Sequence, residues 1–308
     1  VAAAADATDG TQIRTCLDNM AVTIGVPAWW QVYNADVITN GDLISLVSQD
    51  NSNSNKYLIH SGTGSFPGVA YYGGGDTTSQ SDFDPSITSK GPVSAKGWIA
   101  NTKYSGKGYN FSDVESLGPQ IGCSQDPSSF CYNEINVDTI AATSLTTGGT
   151  PWNSYYWYKR TGDLTINGTV SLGTRKVVLM VKAGNLIINN PINLTKGIGF
   201  FLAAAGQDNA GDKGDIIISP NVKGATEAEL EGIYVADSQF QTGPTLDVNS
   251  QLHIRGIVVA NEKISFQRSL DDDNKKFPAE LFEYAPDQVL LFPRELNRKR
   301  IIQKEIVP

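Results

Sequence analysis

Three cysteines, two histidines and a few clustered carboxylates are the residues of this 308-residue chain whose chemistry must be weighed first. Cys123 and Cys131 bracket the polar loop SQDPSSF, a separation that suits a short disulfide-closed loop. Cys16 is left over: free and buried, paired elsewhere, or paired with another chain. No CxxC spacing occurs, and His60 and His253 are distant from each other and from every cysteine, which argues against zinc. Asp208, Asp212 and Asp215 are the nearest approach to a calcium site, and Asp271, Asp272 and Asp273 form a second acidic run. Neither follows the alternating Asp-x-Asp-x-Asp-Gly frame, so both read as solvated turn residues, with calcium at the first group as the lesser alternative. No nucleophile-elbow signature or phosphate loop is present. His253 and Arg255 alternate with Leu252 and Ile254, so the polar pair shares one strand face and is expected to be solvated. No catalytic residue and no cofactor is assigned.

Aromatic residues offer binding chemistry instead. Trp29, Trp30 and Tyr33 form one block, and Trp152, Tyr155, Tyr156, Trp157 and Tyr158 another. Exposed aromatic platforms bind sugars or partner proteins; the competing reading is that they pack the junction between an N-terminal part and the rest. Strand alternation places Tyr155 and Trp157 on one face and Tyr156 and Tyr158 on the other.

The elements that carry these residues follow from an internal repeat. Gly162-Asp-Leu-Thr-Ile-Asn-Gly-Thr-Val170 aligns with Gly184-Asn-Leu-Ile-Ile-Asn-Asn-Pro-Ile192 and with Gly214-Asp-Ile-Ile-Ile-Ser-Pro-Asn-Val222. Each copy precedes a second apolar run: KVVLMV, GFFLAAA and GIYVA, with GIVVA ending a further coil. Alternating copies need one buried face; continuous runs need cover on both. Stacked in register, such strands bury what none can bury alone, so the fold expected is all-β: a right-handed parallel β-solenoid. Residues 161–270 are its core. Residues 26–160 read as a β-rich elaboration with one interrupted coil, marked by Gly41-Asp42-Leu43, and with residues 48–90 as a surface excursion. Residues 1–25 read as an arm, and 271–308 as a C-terminal cap wrapping the solenoid's open end, followed by a basic tail.

Composition narrows the function classes. Only 18% of residues are charged, 40% are hydrophobic, and the net charge is −8. The acidic balance speaks against nucleic acid and anionic lipid, and no apolar run approaches a membrane span. The chain starts at Val1, which is expected to follow removal of a signal or anchor, or to begin a fragment.

The phrases PAWWQVYNADVITNGDL, KGWIAN, SYYWYK, LEGIYVAD and PAELFEYAPDQVLLFP together resemble a group of uncharacterised exported proteins from uncultivated, reduced-genome bacteria. The resemblance implies an exported, extracellular or cell-surface role and carries no catalytic motif. The function expected is structural, through self-assembly or adhesion. The expected partners are copies of the same chain, in a homo-oligomer or filament built through termini and solenoid edges, and surface glycans. A polysaccharide-active β-helix enzyme and a glycan-binding module are the rivals. Convergent carboxylates beside a base in a groove would mark the first, and bare aromatic rings the second.

Overall fold

The computed structural model describes residues 28–39, 59–60, 69–72, 98–101, 109–207, 211, 213–224, 227–246 and 250–297. The chain forms a parallel β-solenoid of about six turns. Its long wall, wall 1, stacks Cys131–Glu134, Tyr155–Thr161, Lys176–Lys182, Phe200–Ala205, Leu230–Ala236 and Leu252–Ala260. Wall 2 stacks six short strands, from Thr139–Ala141 through Leu164–Asn167, Leu186–Ile188, Ile216–Ile218 and Gln239–Gln241 to Lys263–Ser265. Wall 3 starts with Val170–Gly173 and Ile192–Leu194 and continues in the first residues of the later wall 1 strands.

The repeat frame explains itself in this arrangement. Its apolar positions form two inward columns in wall 2: Leu164, Leu186 and Ile216, and beside them Ile166, Ile188 and Ile218. All six are at most 1% exposed. Its Asp or Asn closes the corner. Asp163 accepts the Asn185 N–H at 2.9 Å, Asn185 accepts those of Gly214 and Asp215 at 3.0 Å, and Asp215 accepts that of Gln239 at 2.9 Å. Each side chain thus satisfies donors of the next coil that the turn leaves outside the sheet ladder. The leading glycine is required by crowding, because a Cβ on Gly184 would lie 2.2 Å from the Gly162 carbonyl carbon. A similar constraint shapes the corner from wall 3 to wall 1. There Gly256 (φ +155°) stacks on Gly232, and a Cβ would lie 1.7 Å from the Gly232 oxygen.

Wall 1 is apolar on both sides, as its unbroken runs require. Val177, Leu179, Phe201, Ala203 and Tyr234 point into the coil, while Val178, Met180, Phe200, Leu202 and Ile233 point out into a second cluster. The outer cluster is roofed by helix α1 (Phe111–Leu117) and by a C-terminal strap that contributes Leu291, Phe292 and Leu296. The α1 sequence places Phe111 and Val114 on one face; a capping box between Asn110 and Asp113 starts the helix. Gly206 leaves room for the Phe111 ring, which a Cβ there would meet at 2.3 Å.

Two features depart from the sequence reading. The interval 48–90, expected to be a surface excursion, contains the strands Ile59–His60 and Val69–Tyr72. These are too short, and their surroundings too rich in Gly and Ser, to show a period. Gly41, Asp42 and Leu43 lie outside the described residues. The N-terminal rung also stacks on the C-terminal one: Trp30–Tyr33 pairs in parallel with Glu280–Glu283, and Ile59–His60 pairs beyond it. The segment expected to wrap the solenoid end therefore begins as an internal rung, and the residues after it descend the outside of wall 1. One inward column accordingly runs through N-terminal and C-terminal rungs alike: Val170, Ile192, Leu230, Ile254, Phe282, Val32, Ile59.

The wall 2 columns generate a direct test. Ile188→Asp places an unpaired charge among apolar side chains and is expected to lower unfolding stability by about 4 kcal/mol or more, measured by urea denaturation. Stability within about 1 kcal/mol of the parent contradicts the column.

Candidate functional site

Five ionisable side chains meet where wall 3 turns into wall 1. Leu252 and Ile254 point inward, at 0% and 1% exposure, so His253 and Arg255 point outward as the alternation requires. They are not solvated. The rung below supplies Glu231, the rung above supplies Glu283, and helix α2 (Pro286–Leu290) lays Asp287 across the top. Arg255 Nη2 donates to Asp287 Oδ1 at 2.6 Å, and Nη1 reaches Glu231 Oε1 and Asp287 Oδ2 at 3.3 Å each. Its Nε lies 3.9 Å from Glu283 Oε1, while His253 Nε2 lies 3.0 Å from Glu283 Oε2.

Two of the carboxylates also hold backbone donors. Glu231 Oε2 accepts the Leu194 N–H at 2.7 Å, and Asp287 Oδ2 also accepts that of Gly197 at 2.9 Å. Burial pushes Asp287 up, but the Arg255 guanidinium outweighs it and holds the carboxyl below its usual range. Burial lowers His253 below 6.5 against the opposing pull of Glu283, with Lys196 also lowering it and Glu231 raising it. General acid–base catalysis needs a proton-transferring group aimed at substrate. Here the groups are aimed at one another, and the network ties three rungs and α2 together.

A second buried cation does the same inside the coil. Arg268, 2% exposed, donates to the carbonyls of Val222, Thr242, Ser250 and Ser219 at 2.5, 2.8, 3.0 and 3.1 Å. Burial depresses it to about 10, which leaves it charged at neutral pH. Glu280 accepts from the Thr242 hydroxyl and the backbone N–H groups of Gln267 and Arg268. Burial raises its carboxyl above the usual range.

The other residues singled out in the sequence are dispersed. Cys123 and Cys131 form a disulfide with Cα atoms 4.9 Å apart, which fastens the short strand Ile121–Gly122 to Cys131–Glu134 at the first rungs of wall 1. Cys16, Asp208 and Asp212 lie outside the described residues. Asp215 is part of the corner ladder and also accepts from Gln241 Nε2 at 2.9 Å. Among the described residues no group of three metal-ligating side chains occurs. Trp29 is buried with its indole donating to the Asn274 carbonyl at 2.8 Å, and Trp30 is buried against Phe266 at 4.7 Å. Trp157 is fully buried in the outer cluster beside Phe130. Tyr155 is half-buried and donates to the Leu291 carbonyl; Tyr156, also half-buried, lies 3.2 Å beneath the Arg175 guanidinium. Tyr155 and Trp157 share the outer face of wall 1, and Tyr156 and Tyr158 the inner.

Wall 2 presents the most regular surface. Thr139, Thr165, Ile187, Ile217, Gln241 and Ser265 form one outward column, in register over six rungs. It contains no charge, and Ile187 and Ile217, both half-exposed, belong to neither apolar cluster. Among the described residues no helix is long and apolar enough to cross a membrane. No protein-family model, curated protein or solved structure matches the chain.

The partners of Arg255 were missed in the sequence, although a signal for one existed. Aligning LEGIYVA with IRGIVVA on their glycines sets Glu231 directly under Arg255.

A depressed histidine binds its proton more readily in the unfolded chain. Its stabilising contribution is therefore complete above 6.5 and is lost as pH falls through the lower folded value. NMR titration of His253 is expected to give a midpoint below 6.5 that drops further in Glu283→Gln. A midpoint at or above 6.5 contradicts the arrangement.

Proposed function

We propose that this is an exported structural protein of the cell surface, acting through self-assembly or adhesion without catalysis. The observation that carries the reading is the wall 2 face. Its six uncharged side chains repeat at about the 4.8 Å spacing of neighbouring strands, on a stiff scaffold. Such a face fits a second solenoid laid alongside, or a linear polymer with its own repeat. The occupied state of the Arg255 network supports a non-catalytic role, because the place among the described residues where carboxylates converge beside a histidine is filled by their mutual contacts. The disulfide is in keeping with an oxidising compartment. The resemblance to exported proteins of reduced-genome bacteria points the same way.

Ile187→Lys/Ile217→Lys changes only outward side chains and tests the face. The parent is expected to show a light-scattering mass that rises with concentration, or retention on insoluble cell-wall polysaccharide without release of reducing sugar. The double variant, folded by circular dichroism, is expected to lose that behaviour. A parent that neither assembles nor binds, a variant that behaves as the parent does, or sugar release contradicts the proposal.

A further inference from the structure

The solenoid has an open end at its first rungs. Wall 1 stops at Ile121–Gly122 and wall 2 at Thr139–Ala141, and no described strand pairs with their outer edges. Unpaired parallel edges attract foreign strands, and proteins usually cover them. Apolar side chains surround this edge: Ile121 is 42% exposed and Val137 54%. The end is also acidic. Residues 109–158 contain five carboxylates and no Lys or Arg. Asp113 is held in the α1 cap, Glu115 pairs with Lys159 and Lys182, and Asp126 takes the hydroxyls of Ser128 and Ser129. Glu134 and Asp138 are exposed, and no described cation pairs with them.

The strap runs toward this end. It leaves the rung at Glu280–Glu283 and meets Gly197 and Arg255 through Asp287. Leu291 then accepts from Tyr155, and Glu295 from Asn153 at 2.7 Å. The described chain therefore stops at Asn297 beside the rung Tyr155–Thr161, which only two wall 1 strands separate from the open end. That is about 10 Å along the stack. Residues 298–308, RKRIIQKEIVP, carry four cations and one anion, together with Ile301, Ile302, Ile306 and Val307. Eleven residues reach about 36 Å when extended, and β-branched residues suit an added strand.

We propose that residues 298–308 dock on the open end of their own solenoid, adding β structure to its edge and pairing their cations with Glu134 and Asp138. A tether this short gives the chain's own tail a far higher effective concentration than a second copy offers. The tail is thus an edge cover supplied by the chain itself.

Zero-length carbodiimide crosslinking of the full chain, with the monomer fraction isolated and digested, reads the contact whether or not the protein assembles. Amide links from Lys299 or Lys304 to Glu134 or Asp138 are expected within monomers. Full-length Lys299→Glu/Arg300→Glu/Lys304→Glu should show at least tenfold faster amide exchange at Thr139–Ala141. Links found only between copies, links to other acidic residues, no links, or unchanged exchange in the variant each overturn the proposal.

Discussion

The structure depends on keeping water away from both faces of wall 1. Inside the coil this follows from stacking alone, since Leu179, Ala203 and Tyr234 form a column that each rung extends. Outside it does not. Trp157, Val178, Leu202 and Ile233 form an equally continuous column facing away from the coil. Exposed, such a patch would drive aggregation. Helix α1 and the strap exist in the places they do because this outer face must be roofed.

The polar networks then appear as fastenings for that roof. Asp237 accepts the Phe111 N–H at 2.8 Å and so pins the start of α1 to the end of a wall 1 strand. Gln288 accepts from Phe201 and donates to the Gly199 carbonyl, while Asp287 grips Arg255 and Gly197. The strap's helices are short, and these contacts tie it to the rungs it covers. Burying such charges is costly, and they persist because each is paired and hydrogen-bonded. The histidine–carboxylate–arginine grouping is one of these fastenings, its members bonded to one another and to the strap.

The coil core was legible in the sequence because its information is local. The Gly-Asp-Leu frame encodes a corner, an inter-coil acceptor and an inward side chain within three residues, so three copies sufficed to set the wall 2 register. The unbroken runs KVVLMV and GFFLAAA likewise announced a wall covered twice. What covers it was not legible, since α1 is a seven-residue helix and the strap's helices, Pro286–Leu290 and Arg294–Leu296, have five and three residues. The stacking of Trp30–Tyr33 on Glu280–Glu283 was hidden for a different reason. Repeats reveal neighbours along the chain, whereas this contact joins rungs about 250 residues apart through one shared column, Phe282 on Val32. Similarly, the sequence could show that His253 and Arg255 point outward but not that Asp287 arrives from a later element to cover them.

Native-state hydrogen exchange of a Phe292→Ser/Leu296→Ser variant tests the doubly covered wall most directly. Both substitutions lie in the strap and touch only the outer cluster. With the roof weakened, amides of Lys176–Lys182 and Phe200–Ala205 should exchange at least tenfold faster, while those of Leu186–Ile188 in wall 2 keep the parent's rates. Unchanged exchange in the two wall 1 strands, or equal loss in wall 2, contradicts the claim that the outer cover holds this wall.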